Sequence, residues 1–401
     1  MRASRSETRR PAASLDSLAI DGERISARLR IGSTEHELAY RVPGVPLEPR
    51  YEPFLVAALP IAMRAASSLS VPGPVSPRLL KALPMAQEIL ATWSEPLSPV
   101  SVEAAAGVTE PDRERGTASL FSGGVDSFYT ALGNLDEIDA LVYVHGFDVL
   151  LASRGLRARI SRSLNAAAEA LGRPLIEVES NVRDTSDHFI STWFHHGAHL
   201  AGVGHLLGAR FRRVLVPATL SYKALPPLGS HPLLDPLWST EAVEVIHEGV
   251  VGRAEKVIEI SGSEVAMRHL RVCWEQDTDY NCGRCPKCVR TAAVLHLIGA
   301  LERCHTLPDR VPLRALARAR VRNEASLGAV RGSLAAAERE GTDPWVTRAL
   351  RHTNRRGTLY VGLKPVASGA APRLWRAGGR VQRWFRGRRR ERRLAAAARA
   401  R

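Results

Sequence analysis

Four short apolar runs, Ala118 to Phe121, Ala140 to Val144, Leu175 to Val178 and Val214 to Val216, are separated by segments of helical spacing near 153–171 and 187–208. Strands that are apolar at nearly every position must be covered on both faces, and parallel strands need a crossover, usually helical, between them. The alternation therefore specifies an α/β fold, a parallel sheet with helices on both faces. Ligands of such sheets bind beyond the carboxyl ends of the strands. The segment leaving the first of these strands is Ser122-Gly123-Gly124-Val125-Asp126-Ser127, and a helix is expected from Phe128 to Leu132.

Two glycines at a strand-to-helix turn let the backbone approach a bound group, because neither carries a Cβ. The N–H groups that open a helix lack intrahelical partners and favour an anion. Phosphate is the natural guest of residues 122–127, with the Ser122 and Ser127 hydroxyls as donors and Asp126 placed to hold Mg2+. The Walker spacing, Gly-x4-Gly-Lys-Ser/Thr, is absent from this loop. Ser-Gly-Gly-x-Asp-Ser after a strand resembles the pyrophosphate loop of the N-type ATP pyrophosphatases, the PP-loop superfamily. The resemblance implies an adenine nucleotide alpha hydrolase-like sheet and cleavage of ATP between its α and β phosphates.

Four of the five cysteines fall close together, as Cys273, Cys282, Cys285 and Cys288. Thiolates at these spacings can surround one tetrahedral ion, and the Gly283-Arg284 and Pro286-Lys287 spacers favour the tight turns required. Structural Zn2+ is favoured over a disulfide pair, since no secretory signal is visible, and over an iron–sulfur cluster, which four thiolates alone do not exclude. A pyrophosphate loop followed by this cysteine spacing resembles the 7-cyano-7-deazaguanine synthase family over about residues 117 to 300. The resemblance implies a structural zinc on the four cysteines near the active site. It also implies adenylation of a small-molecule carboxylate and attack by a nitrogen nucleophile. The chain departs from the family at His145-Gly146-Phe147-Asp148-Val149 and in the longer stretch from Pro217 to Thr240.

Further candidates surround these motifs. Arg253 and Lys256 follow a strand expected at Val243 to Ile246, and Lys256 is assigned with Asp126 to catalysis, since cations stabilise charge on a departing pyrophosphate. Solvated surface cations are the alternative. The Pro- and Gly-rich segment from Ser221 to Trp238 follows a strand and carries Tyr222, His231 and Asp235, the candidate substrate-binding residues. His195, His196, His199 and His205 share one expected helix, but the Glu of His-Glu-x-x-His is missing, so hydrogen-bonded histidines beside the nucleotide site are expected. No side-chain nucleophile is expected. Ammonia, an amine or a partner is to supply the nitrogen.

The net charge of +15 suggests nucleic acid until it is located along the chain. Residues 373–401 carry twelve Arg and one Glu, residues 1–10 carry four Arg and one Glu, and the body between the ends is close to neutral. The Arg-rich tail reads as a solvated, disordered run. Its interleaved Trp375, Trp384 and Phe385 also make it a candidate for RNA or an anionic membrane surface. No apolar run reaches the length of a membrane span, and a cytoplasmic location is expected.

Ahead of the loop, alternating residues in Ile25 to Ile31 and Glu37 to Val42 predict a hairpin. Helices are predicted from Phe54 to Ala66, through Pro60, and from Pro77 to about Trp93, with a kink at Pro84. A short strand is predicted at Leu69 to Val71. With Glu95 to Gly116 taken as a linker, four regions follow: an α+β amino-terminal domain (1–110), the PP-loop domain with its cysteine cluster (111–310), a helical extension (311–372) and the Arg-rich tail (373–401). Two other functions fit the same motifs, an RNA-modifying adenylating enzyme and a non-catalytic nucleotide-binding protein.

Overall fold

The computed structural model describes residues 13–107, 115–275 and 280–370. The Arg-rich tail and the amino-terminal arginines lie outside the described residues. Ten strands are present among the described residues: β1 Ala13–Asp21, β2 Arg24–Ile31, β3 Thr34–Arg41, β4 Leu69–Val75, β5 Val102–Ala106, β6 Gly116–Leu120, β7 Ala140–His145, β8 Leu175–Ser180, β9 Phe211–Pro217 and β10 Glu244–Glu248. They form one sheet in the order β10-β9-β6-β7-β8-β3-β2-β1-β4-β5. From β10 to β8 every pairing is parallel. At β3 the direction reverses, through Tyr40 opposite Ser180 and Arg41 opposite Glu179. Strands β1 to β3 form an antiparallel meander, and β4 and β5 extend it in parallel. The α/β class and the mostly parallel sheet expected from the apolar runs are thus present.

The period of two along a strand explains why the parallel half reads as continuous apolar runs. Ala140, Val142 and Val144 of β7 enter one core, and Leu141 and Tyr143 enter the core on the opposite face. Strand β9 divides the same way, Val214 and Val216 from Leu215. The first core also contains Leu29, Tyr40 and Phe54, so the amino-terminal region shares both the sheet and a core with the parallel half. The second is covered by the helices Val125–Gly133, Arg154–Ala170, Arg253–Ile260 and Pro286–Leu297.

The stretch expected as a linker holds β5, paired with β4, and residues 108–114 within it are outside the described set. The hairpin forms as β2 and β3. Helices run over Glu52–Ala65, through Pro60, and over Pro77–Trp93, where the Ser76 side chain accepts the Leu79 N–H as a cap. The extension folds as helices Leu313–Ala317, Glu324–Glu340 and Pro344–Ala370. It docks on the helix Pro286–Leu297, whose Val289, Ala293 and Leu297 face the extension while Cys288, Ala292 and Leu295 face the sheet side. Among the described residues no helix is long and apolar enough to cross a membrane.

Candidate functional site

The 122–127 loop leaves the carboxyl end of β6 and opens the helix Val125–Gly133. Gly123 has φ of +69°, a conformation that favours glycine, and a Cβ there would also press within 2.6 Å of the tip of the Leu164 side chain. The Arg271 N–H donates to the Gly123 carbonyl at 2.7 Å and fixes the turn from the other side. Gly124 is the helix N-cap in extended conformation and offers no side chain to the first-turn N–H groups. Ser127 donates its hydroxyl to the Gly124 carbonyl at 3.1 Å, with the Ser122 hydroxyl 3.4 Å away. Val125 is fully buried in the core, so only its backbone can meet a ligand.

Asp126 is held by two cations from the helix after β10. Arg253 Nη1 lies 2.7 Å from Asp126 Oδ2, and Lys256 Nζ lies 3.4 Å from Oδ1. Spacing of three residues on a helix puts Arg253 and Lys256 on one face, which explains their common target. Lys256 is fully buried, also donates to the Ala218 carbonyl, and stands over the Tyr129 ring at 5.4 Å. Burial lowers its ammonium below the ordinary lysine value, against the opposing charge of Asp126.

A cavity of about 1290 Å³ opens beside the loop, and Ser122, Asp126, Ser127 and Arg253 line it. Its wall contains ten Lys or Arg side chains against four Asp or Glu, so it favours anions. His196 also lines it and hydrogen-bonds the Thr192 carbonyl through Nδ1 at 2.9 Å, which places that proton on Nδ1. His199 meets the Ser186 hydroxyl at 3.0 Å and His195 meets Asp187 at 3.0 Å, so these three histidines are hydrogen-bonded as expected. Burial lowers His196 and His199 below the ordinary value and keeps them neutral.

The sulfurs of Cys273, Cys282, Cys285 and Cys288 all lie within 4.8 Å of one another. Individual separations are 3.9 Å for Cys273 and Cys285, 3.9 Å for Cys282 and Cys288, and 3.5 Å for Cys285 and Cys288. Ligands at about 2.3 Å around one tetrahedral ion would stand about 3.8 Å apart. The set therefore fits a single metal ion such as zinc, and its separations are far from the roughly 2.05 Å of a disulfide. The Cys285 N–H points at Cys282 Sγ from 3.1 Å, and the Glu275 N–H at Cys273 Sγ from 3.4 Å, contacts that stabilise thiolate. Gly283 makes the turn between ligands at φ of +69°. Cys282 and Cys285 border the cavity, beside Trp274 and the Lys287 ammonium that stands over its ring at 5.2 Å.

Tyr222, His231 and Asp235 are not among the residues lining the cavity. Tyr222 is exposed on the turn Tyr222–Ala224, whose neighbours Ser221, Lys223 and Ala224 do line it. Asp235 is fully buried and accepts from Ser230 Oγ and His247 Nδ1, both at 2.7 Å, and from the His231 N–H at 3.3 Å. His231 packs edge-on against Trp93. The residues that sequence reasoning missed are Tyr143 and Arg183, Lys287 and Arg290 flanking Cys288, and arginines of the extension. Lys287 and Arg290 carried a signal, being one turn around a ligand cysteine at the start of a helix. No family model, curated protein or solved structure matches this chain.

Proposed function

We propose that the chain binds ATP with its β and γ phosphates against the 122–127 loop and adenylates a substrate carboxylate. The observation that carries this is the glycine turn at the carboxyl end of β6, whose helix N-terminus adjoins an anion-favouring cavity and two cations one helical turn apart. A carboxylate oxygen attacks the α phosphorus, the bond to the bridging oxygen breaks, and the electron pair leaves on pyrophosphate. A nitrogen nucleophile, ammonia or an amine, then attacks the acyl carbon, loses a proton and expels AMP.

The residues of this chain contribute position and charge. First-turn N–H groups and the Ser122 and Ser127 hydroxyls hold phosphate oxygens. Arg253, which lines the cavity, offsets the charge that develops on pyrophosphate, and Lys256, fully buried outside the cavity lining and bonded to Asp126 and the Ala218 carbonyl, adds to it at longer range. Mg2+, when bound, supplies further charge neutralisation, and Asp126 is the carboxylate that would hold it. The four cysteines would hold structural Zn2+ and fix the loop that brings Trp274 and Lys287 to the cavity.

Pyrophosphate release from ATP and Mg2+, measured against a panel of carboxylates, tests the reaction. Carboxylate-dependent release is expected, and Arg253→Met should slow it by roughly 10²- to 10³-fold, as loss of one preorganised donor does. Absence of carboxylate-dependent release across the panel, with release stimulated by RNA alone, would transfer the site to RNA modification.

A further inference from the structure

The cavity wall formed by the extension is cationic, and adenylation as described gives those charges no task. Arg318 and Arg320 follow the helix Leu313–Ala317, Arg331 lies on Glu324–Glu340, and all three line the cavity with exposed side chains. Among the described residues none of the three has an ion-pair partner. Arg290, which lines the cavity from the helix on which the extension docks, has Nη1 buried without an acceptor. The cavity's four acids are outnumbered by its cations, and two of them already face other cations, Asp126 toward Arg253 and Lys256 and Asp148 at 3.8 Å from Arg183.

The wall is also built rather than incidental. The helix Glu324–Glu340 starts with a reciprocal cap between Asn323 and Ser326. At Gly328 it lies so close to the 222–224 turn that a Cβ there would be 2.9 Å from Ala224. Arg331 comes one turn later on the same helix. Pockets for a single small ligand run from about 300 to 1,000 Å³. At about 1290 Å³ this one has room for a second molecule.

Resting on the adenylation proposed above, we propose that the extension wall is a separate anion subsite and that the molecule adenylated carries a phosphate group in addition to its carboxylate. Arg318, Arg320, Arg331 and Arg290 present several planar guanidinium forks, which match the oxygens of a phosphate through paired hydrogen bonds. A tetrahedral dianion can engage more than one fork at once. The carboxylate end then points toward the 122–127 loop, where the α phosphorus of ATP lies.

Inorganic phosphate is the probe, titrated by calorimetry into the full-length, metal-loaded protein in low-salt buffer, with and without saturating α,β-methylene ATP. With the analogue bound, one phosphate per chain should still bind. Arg318→Gln with Arg331→Gln should weaken that phosphate at least 10-fold and leave analogue binding unchanged. The matching lysine pair should recover part of the affinity, which separates lost charge from lost folding. Absence of phosphate binding once the analogue is present would overturn the subsite, as would equal loss of analogue and phosphate in the glutamine pair. An RNA oligonucleotide that displaces phosphate with the same arginine dependence would overturn the small-molecule assignment. Should the analogue fail to bind while phosphate binds through Arg318 and Arg331, the subsite stands and ATP adenylation falls.

Discussion

The two halves of the sheet treat charge in opposite ways. Around the antiparallel strands, charge sits at the surface in pairs, Arg24 with Glu37 at 2.7 Å and Arg41 with Glu23 at 2.8 Å, all substantially exposed. Beyond the carboxyl ends of the parallel strands it is gathered inward: Lys256 is fully buried, Arg253 and Asp126 are mostly so, and Arg290 keeps a donor without an acceptor. Exposed pairs contribute little to stability, and desolvated charges are costly to hold. Gathering the costly kind around one cavity is what a ligand site does, since its charges are completed by what binds there.

The largest expected difference between the halves lies in the cysteine cluster. Every cysteine of the chain belongs to the half that carries the cavity. The helix Pro286–Leu297, which carries Cys288 and has Cys285 as its N-cap, packs into both the sheet-side core and the extension core. Cys288→Ser should therefore release the metal and cost more than about 4 kcal/mol, since loss of a structural metal is one of the few single changes of that size. Denaturant unfolding and elemental analysis read the two effects. A variant with unchanged midpoint and unchanged metal would show that the cluster does not organise this half.

An intermediate effect is expected where the halves join. On β8, next to the strand that reverses the sheet, Glu177 accepts hydrogen bonds from His145 at 2.6 Å, Ser161 at 2.5 Å and Asn165 at 2.9 Å. The His145 contact, with help from Ser161 and Asn165 and against the cost of burial, holds its carboxyl down to about 2, from an ordinary 4.5. A carboxylate depressed by folding contributes stability that is complete above the unfolded value and is lost as pH falls through the folded one. Wild type should lose about 1–2 kcal/mol more than Glu177→Gln between pH 4.5 and pH 2, after allowing for solvent screening. Parallel unfolding curves for the two proteins across that window would remove Glu177 from the seam.

How far the sequence revealed this division follows from the same physics. The parallel strands were legible because both faces are buried and few polar residues interrupt them, and the loop because its geometry favours glycine. Strand β1 was not, because a bulge at Ser17, with φ of 53° and a register shift between Asp16 and Ala19, breaks the alternation that marks a strand. Edge strand β5 was hidden by its exposure and its three alanines. Asp235 drew notice as a carboxylate in a Pro- and Gly-rich loop, yet its partners are Ser230, His231 and His247, and a sequence does not distinguish an internally satisfied carboxylate from one that meets ligand. The arginines of the extension had the reverse problem. In a chain with so many Arg residues, Arg318 and Arg331 look like ordinary surface until the fold turns them toward the cavity.

The smallest effect belongs to the antiparallel half, and it is the one that sharpens the contrast. Arg24 and Glu37 stand on adjacent strands β2 and β3, with side chains about 39% and 59% exposed. Water competes for both groups, and holding two long side chains in one geometry costs rotamer freedom. A double-mutant cycle of Arg24→Ala and Glu37→Ala should give a coupling of about 0.2–1 kcal/mol that shrinks as salt rises, because the screening length falls from about 10 Å at 0.1 M to about 3 Å at 1 M. In the same two strands, Leu29 and Leu38 are fully buried and carry the strand packing instead. A coupling of several kcal/mol, or one indifferent to salt, would mean that the surface pairs hold this half together. The distinction between charge kept for folding and charge kept for a ligand would then fail where it is simplest to measure.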